Sequence, residues 1–249
     1  FEKPSGRTRN SMEIAVFQLG GHPMYIKPEE LGIDTRETAE DVVRVMAGYH
    51  AALAARVFDH GRLQRMAATD AMPVINLLSD VAHPMQALAD LLTIEQEIGL
   101  SDVGRVAYVG DANNVWRSLA IGCSMLGIDT AVASPPGHGP SELDVDRVLA
   151  FDGSLLVTND PQEAVQGADV VYTDVWTSMG QESEKEQRLD AFVNFRVDST
   201  LMSRASASGI FMHCLPAHRG EEVTNEVMES SRSKVFPQAH NRMHSARGL

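Results

Sequence analysis

The sequence predicts an α/β protein of two doubly wound parallel-sheet domains joined by a bridging helix, and three observations carry that expectation. Short apolar runs alternate with segments whose apolar residues recur at helical spacing, the pattern of strands connected by crossover helices. Pro84 stands at the head of a helical run that falls between two such alternating stretches, and proline suits a first helical turn. The 249 residues, 43% of them apolar, suffice for two modest domains with ordinary cores.

The first domain is expected over residues 1–82. Met12, Ala15, Val16 and Leu19 share a helical face across residues 8–19, and residues 22–26 read as a short strand. A helix over 38–49 (Val42, Val43, Met46) leads to a strand over 51–57, a helix over 63–68 and a strand over 74–77. Residues 83–99 form the bridging helix, with Met85, Leu88, Ala89 and Leu92 on one face. The second domain, 100–228, repeats the style. Its strands are expected at 105–109, 130–133, 155–158, 170–175 and 210–215, and its helices at 115–126 and 161–165. Proline and glycine between 134 and 140 mark a loop, and the polar run 178–187 reads as an exposed, mobile loop. Residues 229–249 are read as a C-terminal segment returning towards the first domain. Two lobes of this kind leave a cleft at their strand ends, where ligands bind in parallel sheets.

A formal net charge of −13 argues against nucleic acid or an anionic membrane as the partner, because both reward a basic surface. No apolar run approaches the roughly 18 to 20 residues of a membrane-spanning helix. Two cysteines, Cys123 and Cys214, are too few for a disulfide framework and fit a reducing compartment, so a cytoplasmic location is expected. The chain opens at Phe1 inside a dense motif and stops at Gly248-Leu249 in a stretch that still reads as helix. Truncation at both ends is therefore expected, and a removed targeting peptide is left open.

Four constellations carry candidate chemistry. Lys3, Ser5, Arg7, Thr8 and Arg9 place three cations and two hydroxyls around a helix start, which suits phosphate and equally suits a solvated basic helix end. Gly110-Asp111-Ala112-Asn113-Asn114 lies between a strand and a helix, but it is not G-x-G-x-x-G, so a nicotinamide cofactor is not expected. Its asparagines read either as binders of a ligand carboxylate or as a helix cap. Asp174 leaves the end of an apolar strand ahead of Ser178 and Met179; it suits a cationic amine, or it forms a turn while Met179 packs. His213-Cys214-Leu215-Pro216-Ala217-His218 ends another strand. No C-x-x-C accompanies it, so no metal is expected, and Cys214 reads otherwise as a buried thiol. His83 and Gln86, at the start of the bridging helix, are either a cap and a surface amide or donors to a carbonyl oxygen.

In order along the chain, FEKPSGRTR, HPMQALADLLT, GDANN, DVWTSMGQE, HCLPAHRGEEVT and NRMH resemble the signature segments of ornithine carbamoyltransferases, and the likeness covers nearly the whole chain. The resemblance implies two α/β domains, one for carbamoyl phosphate and one for the amino acid, in a homotrimer whose active sites lie between subunits. It implies a transferase of arginine biosynthesis that needs no cofactor, although synthesis and degradation would use the same residues. By match, Ser5, Gly6, Arg7 and Thr8 bind the phosphate, and Arg56, His83, Gln86 and Arg242 complete the carbamoyl phosphate pocket. Asn114 takes the carboxylate of ornithine, and Asp174, Ser178 and Met179 take its α-amino end. Cys214 and Leu215 flank the reacting atoms, with Cys214, Asp174, His83 and Arg56 as the catalytic set.

Two departures stand out. Gly6 replaces a hydroxyl residue of the family's usual S-T-R-T-R, and one lost hydrogen bond to a charged group is worth about 1.5 to 3 kcal/mol. Gly32, in PEELGI, stands where the family usually has a polar side chain. The rival readings are a carbamoyltransferase for N-acetylornithine or putrescine and a non-catalytic scaffold. An aspartate carbamoyltransferase would want extra cations where Asp174 stands.

Overall fold

The computed structural model describes residues 1–177 and 182–249. The chain divides into two compact units, Phe1–Met85 with Arg242–Leu249, and Gln86–Asn241. Among the described residues, no helix is long and apolar enough to cross a membrane.

The first unit contains α1 (Gly6–Gln18), α2 (Pro28–Leu31), α3 (Ala39–Met46), β1 (Leu53–Arg56), α4 (His60–Ala68) and β2 (Val74–Leu78). β1 and β2 pair in parallel from Leu53↔Val74, with a register shift between Ala55 and Arg56. Ala39 and Val43 of α3 and Leu63 and Met66 of α4 pack on Ala55 and Val57, the small core of this unit. The strand expected over residues 22–26 does not form. Pro23 has no N–H to offer a ladder, and Tyr25–Ile26 and Ala52–Val57 line a common cavity of about 800 Å³.

Helix α5 (Pro84–Glu97) begins in the first unit and continues into the second, and α12 (Val235–Gly248) does the reverse. Between them the second unit holds β3 (Arg105–Val109), α6 (Asn114–Met125), β4 (Asp129–Ala133), α7 (Glu142–Leu149), β5 (Leu155–Thr158), α8 (Pro161–Val165), β6 (Val170–Thr173), α9 (Lys185–Phe192), α10 (Ser199–Met202), β7 (Ile210–His213) and α11 (Asn225–Met228). The strands form a parallel sheet in the order β5-β4-β3-β6-β7. Successive side chains of β3 enter opposite cores: Val106 and Tyr108 join Trp116, Leu119 and Cys123 of α6, while Ala107 and Val109 join Ala164, Val165 and Phe192. Helices on both faces make the sheet doubly wound and explain why its central strands read as unbroken apolar runs.

The polar run after Asp174 is not loop throughout. Residues 182–184 form a 3₁₀ turn and α9 starts at Lys185, burying Arg188 and Phe192. Its Glu, Lys and Gln residues favour helix as readily as solvent. The expected loop residues 178–181 lie outside the described residues.

Candidate active site

In the first unit Ser5 caps α1 from an extended backbone (φ −159°, ψ 108°). Its Oγ accepts the N–H of Thr8 at 3.3 Å and donates to Thr8 Oγ1 at 3.0 Å. The N–H groups of Gly6 and Arg7 precede any intrahelical acceptor, so the helix start is a place for an anion. Arg56, the last residue of β1, donates through Nε to the Lys3 carbonyl at 3.0 Å and through a terminal nitrogen to Thr8 Oγ1 at 3.4 Å. Arg242 reaches the same hydroxyl at 3.3 Å. Thr8, Arg56, His83 and Arg242 are all buried. Burial holds the imidazole of His83 well below its ordinary pKa, and Arg242, Arg56 and Lys3 push it the same way. His83 is therefore a neutral donor among cations, suited to polarising a carbonyl oxygen beside a bound anion.

The structure separates Arg9 from this group: its guanidinium pairs with Glu13 at 2.8 Å and lies 3.9 Å from the ring centre of Tyr25. Lys3 Nζ stands 5.0 Å from the ring centre of Phe58. Gly32 ends α2 with left-handed backbone (φ 59°), and a Cβ there would meet the Arg36 side chain at 2.8 Å. Backbone geometry thus favours glycine at this departure. Gly6 is the opposite case, because a Cβ there would meet nothing within 4 Å. Gly6→Thr should fold normally and lower the KM for the anionic substrate about tenfold by restoring a hydroxyl to an anion site; an unchanged KM in steady-state kinetics would sink that account.

In the second unit the chain leaves β3 towards β4 and β5 on one side, then returns to β6 and β7 on the other. The β3/β6 boundary is thus a topological switch point, where parallel sheets bind ligands beyond their C-terminal ends. Asn113 and Asn114 follow β3, Asp174 follows β6, and Cys214 follows β7. Buried Asp174 accepts the Cys214 thiol at 3.0 Å and the Val175 N–H at 2.8 Å through Oδ1, and the Asn113 amide at 3.1 Å through Oδ2. Arg188 braces the approach, donating to Asp111 Oδ2 and to the Trp176 carbonyl, both at 2.9 Å. Asn114 is the first residue of α6, and Ser178 and Met179 lie outside the described residues.

Leu215 has a left-handed backbone (φ 58°), an uncommon choice for a branched side chain. His213 Nδ1 accepts its N–H at 2.9 Å, which puts the ring proton on Nε2, 3.0 Å from Glu222 Oε1. Asp174, His213 and Cys214 each place a ligand atom within 4.8 Å of the others, yet both His213 nitrogens are committed to these partners.

Gln86 belongs to the second unit, where its amide donates to Asp90 at 2.7 Å. Asp90 also accepts from Gln238 at 2.7 Å and from the Tyr172 hydroxyl at 3.2 Å. Burial and the Asp90 carboxylate raise the Tyr172 phenol well above its usual pKa, so it remains a donor. Gln238 in turn accepts the His213 N–H at 2.9 Å. Sequence reasoning missed Asp90, Tyr172, Gln238 and Glu222; the available signal was a carboxylate at 90 beside apolar Ala89 and Leu91.

A cationic helix start suits an anion and a switch-point carboxylate beside a thiol suits an amine, each on its own α/β unit. The aspartate/ornithine carbamoyltransferase carbamoyl-P binding domain matches residues 1–96, and the Asp/Orn binding domain of the same description matches residues 104–249. A catabolic ornithine carbamoyltransferase of Thermoplasma acidophilum is 45% identical over all of this chain and 83% of its own length. An anabolic one of Pyrococcus furiosus is 46% identical over all of this chain and 80% of its own length. The solved structure of ornithine carbamoyltransferase from Pyrococcus furiosus superimposes with a TM-score of 0.94 at 46% identity, covering 98% of this chain and 80% of that one. The chain belongs to the aspartate/ornithine carbamoyltransferase family.

Proposed function

We propose that this protein transfers the carbamoyl group of carbamoyl phosphate to the side-chain amine of L-ornithine, giving L-citrulline and phosphate. The observation that carries this reading is buried Asp174 at the switch point beside Cys214. A carboxylate there favours the free α-amino group of ornithine over the second carboxylate of aspartate or the blocked amine of N-acetylornithine. Relatives named as ornithine carbamoyltransferases, both catabolic and anabolic, support the same substrate.

The attacking amine resembles that of lysine, so on the order of one molecule in a thousand is neutral at pH 7. Its nitrogen forms the new bond to the carbamoyl carbon as the bond from that carbon to the phosphate oxygen breaks. Phosphate leaves with the electron pair, held by Ser5, Gly6, Arg7, Thr8, Arg56 and Arg242. Neutral His83 and the basic residues stabilise charge on the carbamoyl oxygen, Gln86 reaches the same group, and by resemblance Cys214 and Leu215 lie beside the reacting atoms. Asn114 and Asp174, with Ser178 and Met179, hold the amino acid. The nitrogen's proton passes to the departing phosphate, whose oxygens gain the electron pair of the broken bond, and Cys214 steers the amine beside it. On this reading residues 1–82 form the carbamoyl phosphate domain and 100–228 the ornithine domain, in a cytoplasmic homotrimer of arginine biosynthesis; the resemblance of the signature segments supports these finer assignments.

Citrulline formation by the purified protein, measured beside aspartate, N-acetylornithine and putrescine, tests the substrate. Activity confined to ornithine is expected. Turnover of another amine alone would move the substrate, and no turnover by folded protein would favour the scaffold.

A further inference from the structure

Asn113 carries two jobs in one side chain. From an extended backbone (φ −82°, ψ −169°), its Oδ1 accepts the N–H groups of Val115 at 2.9 Å and Trp116 at 3.2 Å, capping α6. The Tyr108 hydroxyl approaches the same oxygen at 3.4 Å. Those donors fix which end of the amide is oxygen, a choice that is often ambiguous for asparagine. The nitrogen must then face outward from the cap, and it meets Asp174 Oδ2 at 3.1 Å. With the Val175 N–H and the Cys214 thiol on Oδ1, donors following three different strands hold both oxygens of this carboxylate.

We propose that Asn113 is a positioning residue for the amino-acid substrate: by bonding Asp174 from the capped start of α6, it fixes the plane of the carboxylate that receives the α-amino group. This rests on the reading of Asp174 given above. The cap alone requires only an oxygen, which aspartate or serine supplies as well as asparagine. Orientation of Asp174 requires a donor, which aspartate lacks and serine is too short to deliver. The two roles therefore predict different rankings. Under a cap role, N113D and N113S resemble the wild type and N113A is the impaired variant. Under a positioning role, N113D is the most impaired, because it also sets two carboxylates against each other.

The experiment compares wild type, N113D, N113S and N113A by steady-state kinetics with each substrate varied in turn, alongside thermal melts. We expect the KM for ornithine to rise about tenfold or more in N113S and N113A and further in N113D, with the KM for carbamoyl phosphate within twofold of wild type. Should N113D fail to fold, the serine and alanine variants decide: they differ in cap and share the lost donor. Equal ornithine KM despite unequal melting temperatures supports positioning, whereas KM that follows melting temperature overturns it. Ornithine turnover by the wild type reports separately on the function. If another amine is the one turned over, the same ranking is read on that amine.

Discussion

Asp174→Ala is expected to lower kcat/KM for ornithine by two to three orders of magnitude while leaving the KM for carbamoyl phosphate within about threefold. The carboxylate is 6% exposed and accepts from Val175, Cys214 and Asn113. On the proposed reading its loss leaves a substrate ammonium group without its partner in a desolvated place, and it leaves the amide of Asn113 and thiol of Cys214 without this acceptor. Truncating one partner of a buried, hydrogen-bonded charge pair costs about 2 to 5 kcal/mol, which brackets the expected loss. Asp174→Asn keeps the shape but turns an amide against the amide of Asn113, so it should recover little. The check is kinetics with each substrate varied at saturation of the other; equal damage to both constants would remove Asp174 from the amino-acid side.

The contrast between what was legible in the sequence and what was not follows the range of the interactions involved. β3, β6 and β7 are visible because a parallel sheet covered on both faces needs apolar side chains at every position, and their ends supplied Asn113, Asp174 and Cys214. α6 announces itself through a capping asparagine. By contrast, the strand expected over residues 22–26 joins no ladder, and strand propensity does not supply a partner. α7 and α9 are rich in charges that suit solvent and helix alike, so polarity hid them. The buried network is harder still. Gln238 and Asp90 stand 148 residues apart in sequence, and nothing local to either position signals the other. Gly32 shows the reverse: a departure with no evident reason in the sequence has one in its left-handed backbone.

Arg56→Met should lower kcat/KM for carbamoyl phosphate by about a hundredfold or more, with the KM for ornithine within threefold. Arg56 joins two parts of the phosphate cluster at once, holding the Lys3 carbonyl through Nε and the Thr8 hydroxyl through a terminal nitrogen. The variant removes both bonds together with a cation for the phosphate, and bonds to charged groups are worth about 1.5 to 3 kcal/mol each. Arg56→Lys should fall between, since an ammonium group restores charge without the planar fork. A second readout separates loss of this cation from loss of structure. The folded His83 pKa lies below its ordinary value near 6.5, chiefly through burial and then through Arg242, Arg56 and Lys3. As pH falls below that ordinary value, the unfolded chain takes up a proton that native His83 refuses, so this group's contribution makes the fold less stable towards acid. Removing Arg56 relieves part of that pressure, and the folded pKa should rise towards, though not to, its ordinary value. The acid-side loss of stability contributed by His83 should therefore be smaller in Arg56→Met, read as the difference between the two proteins' unfolding free energies from pH 7 to pH 5. An unchanged difference would show that Arg56 does not act on His83, even if carbamoyl phosphate kinetics collapse.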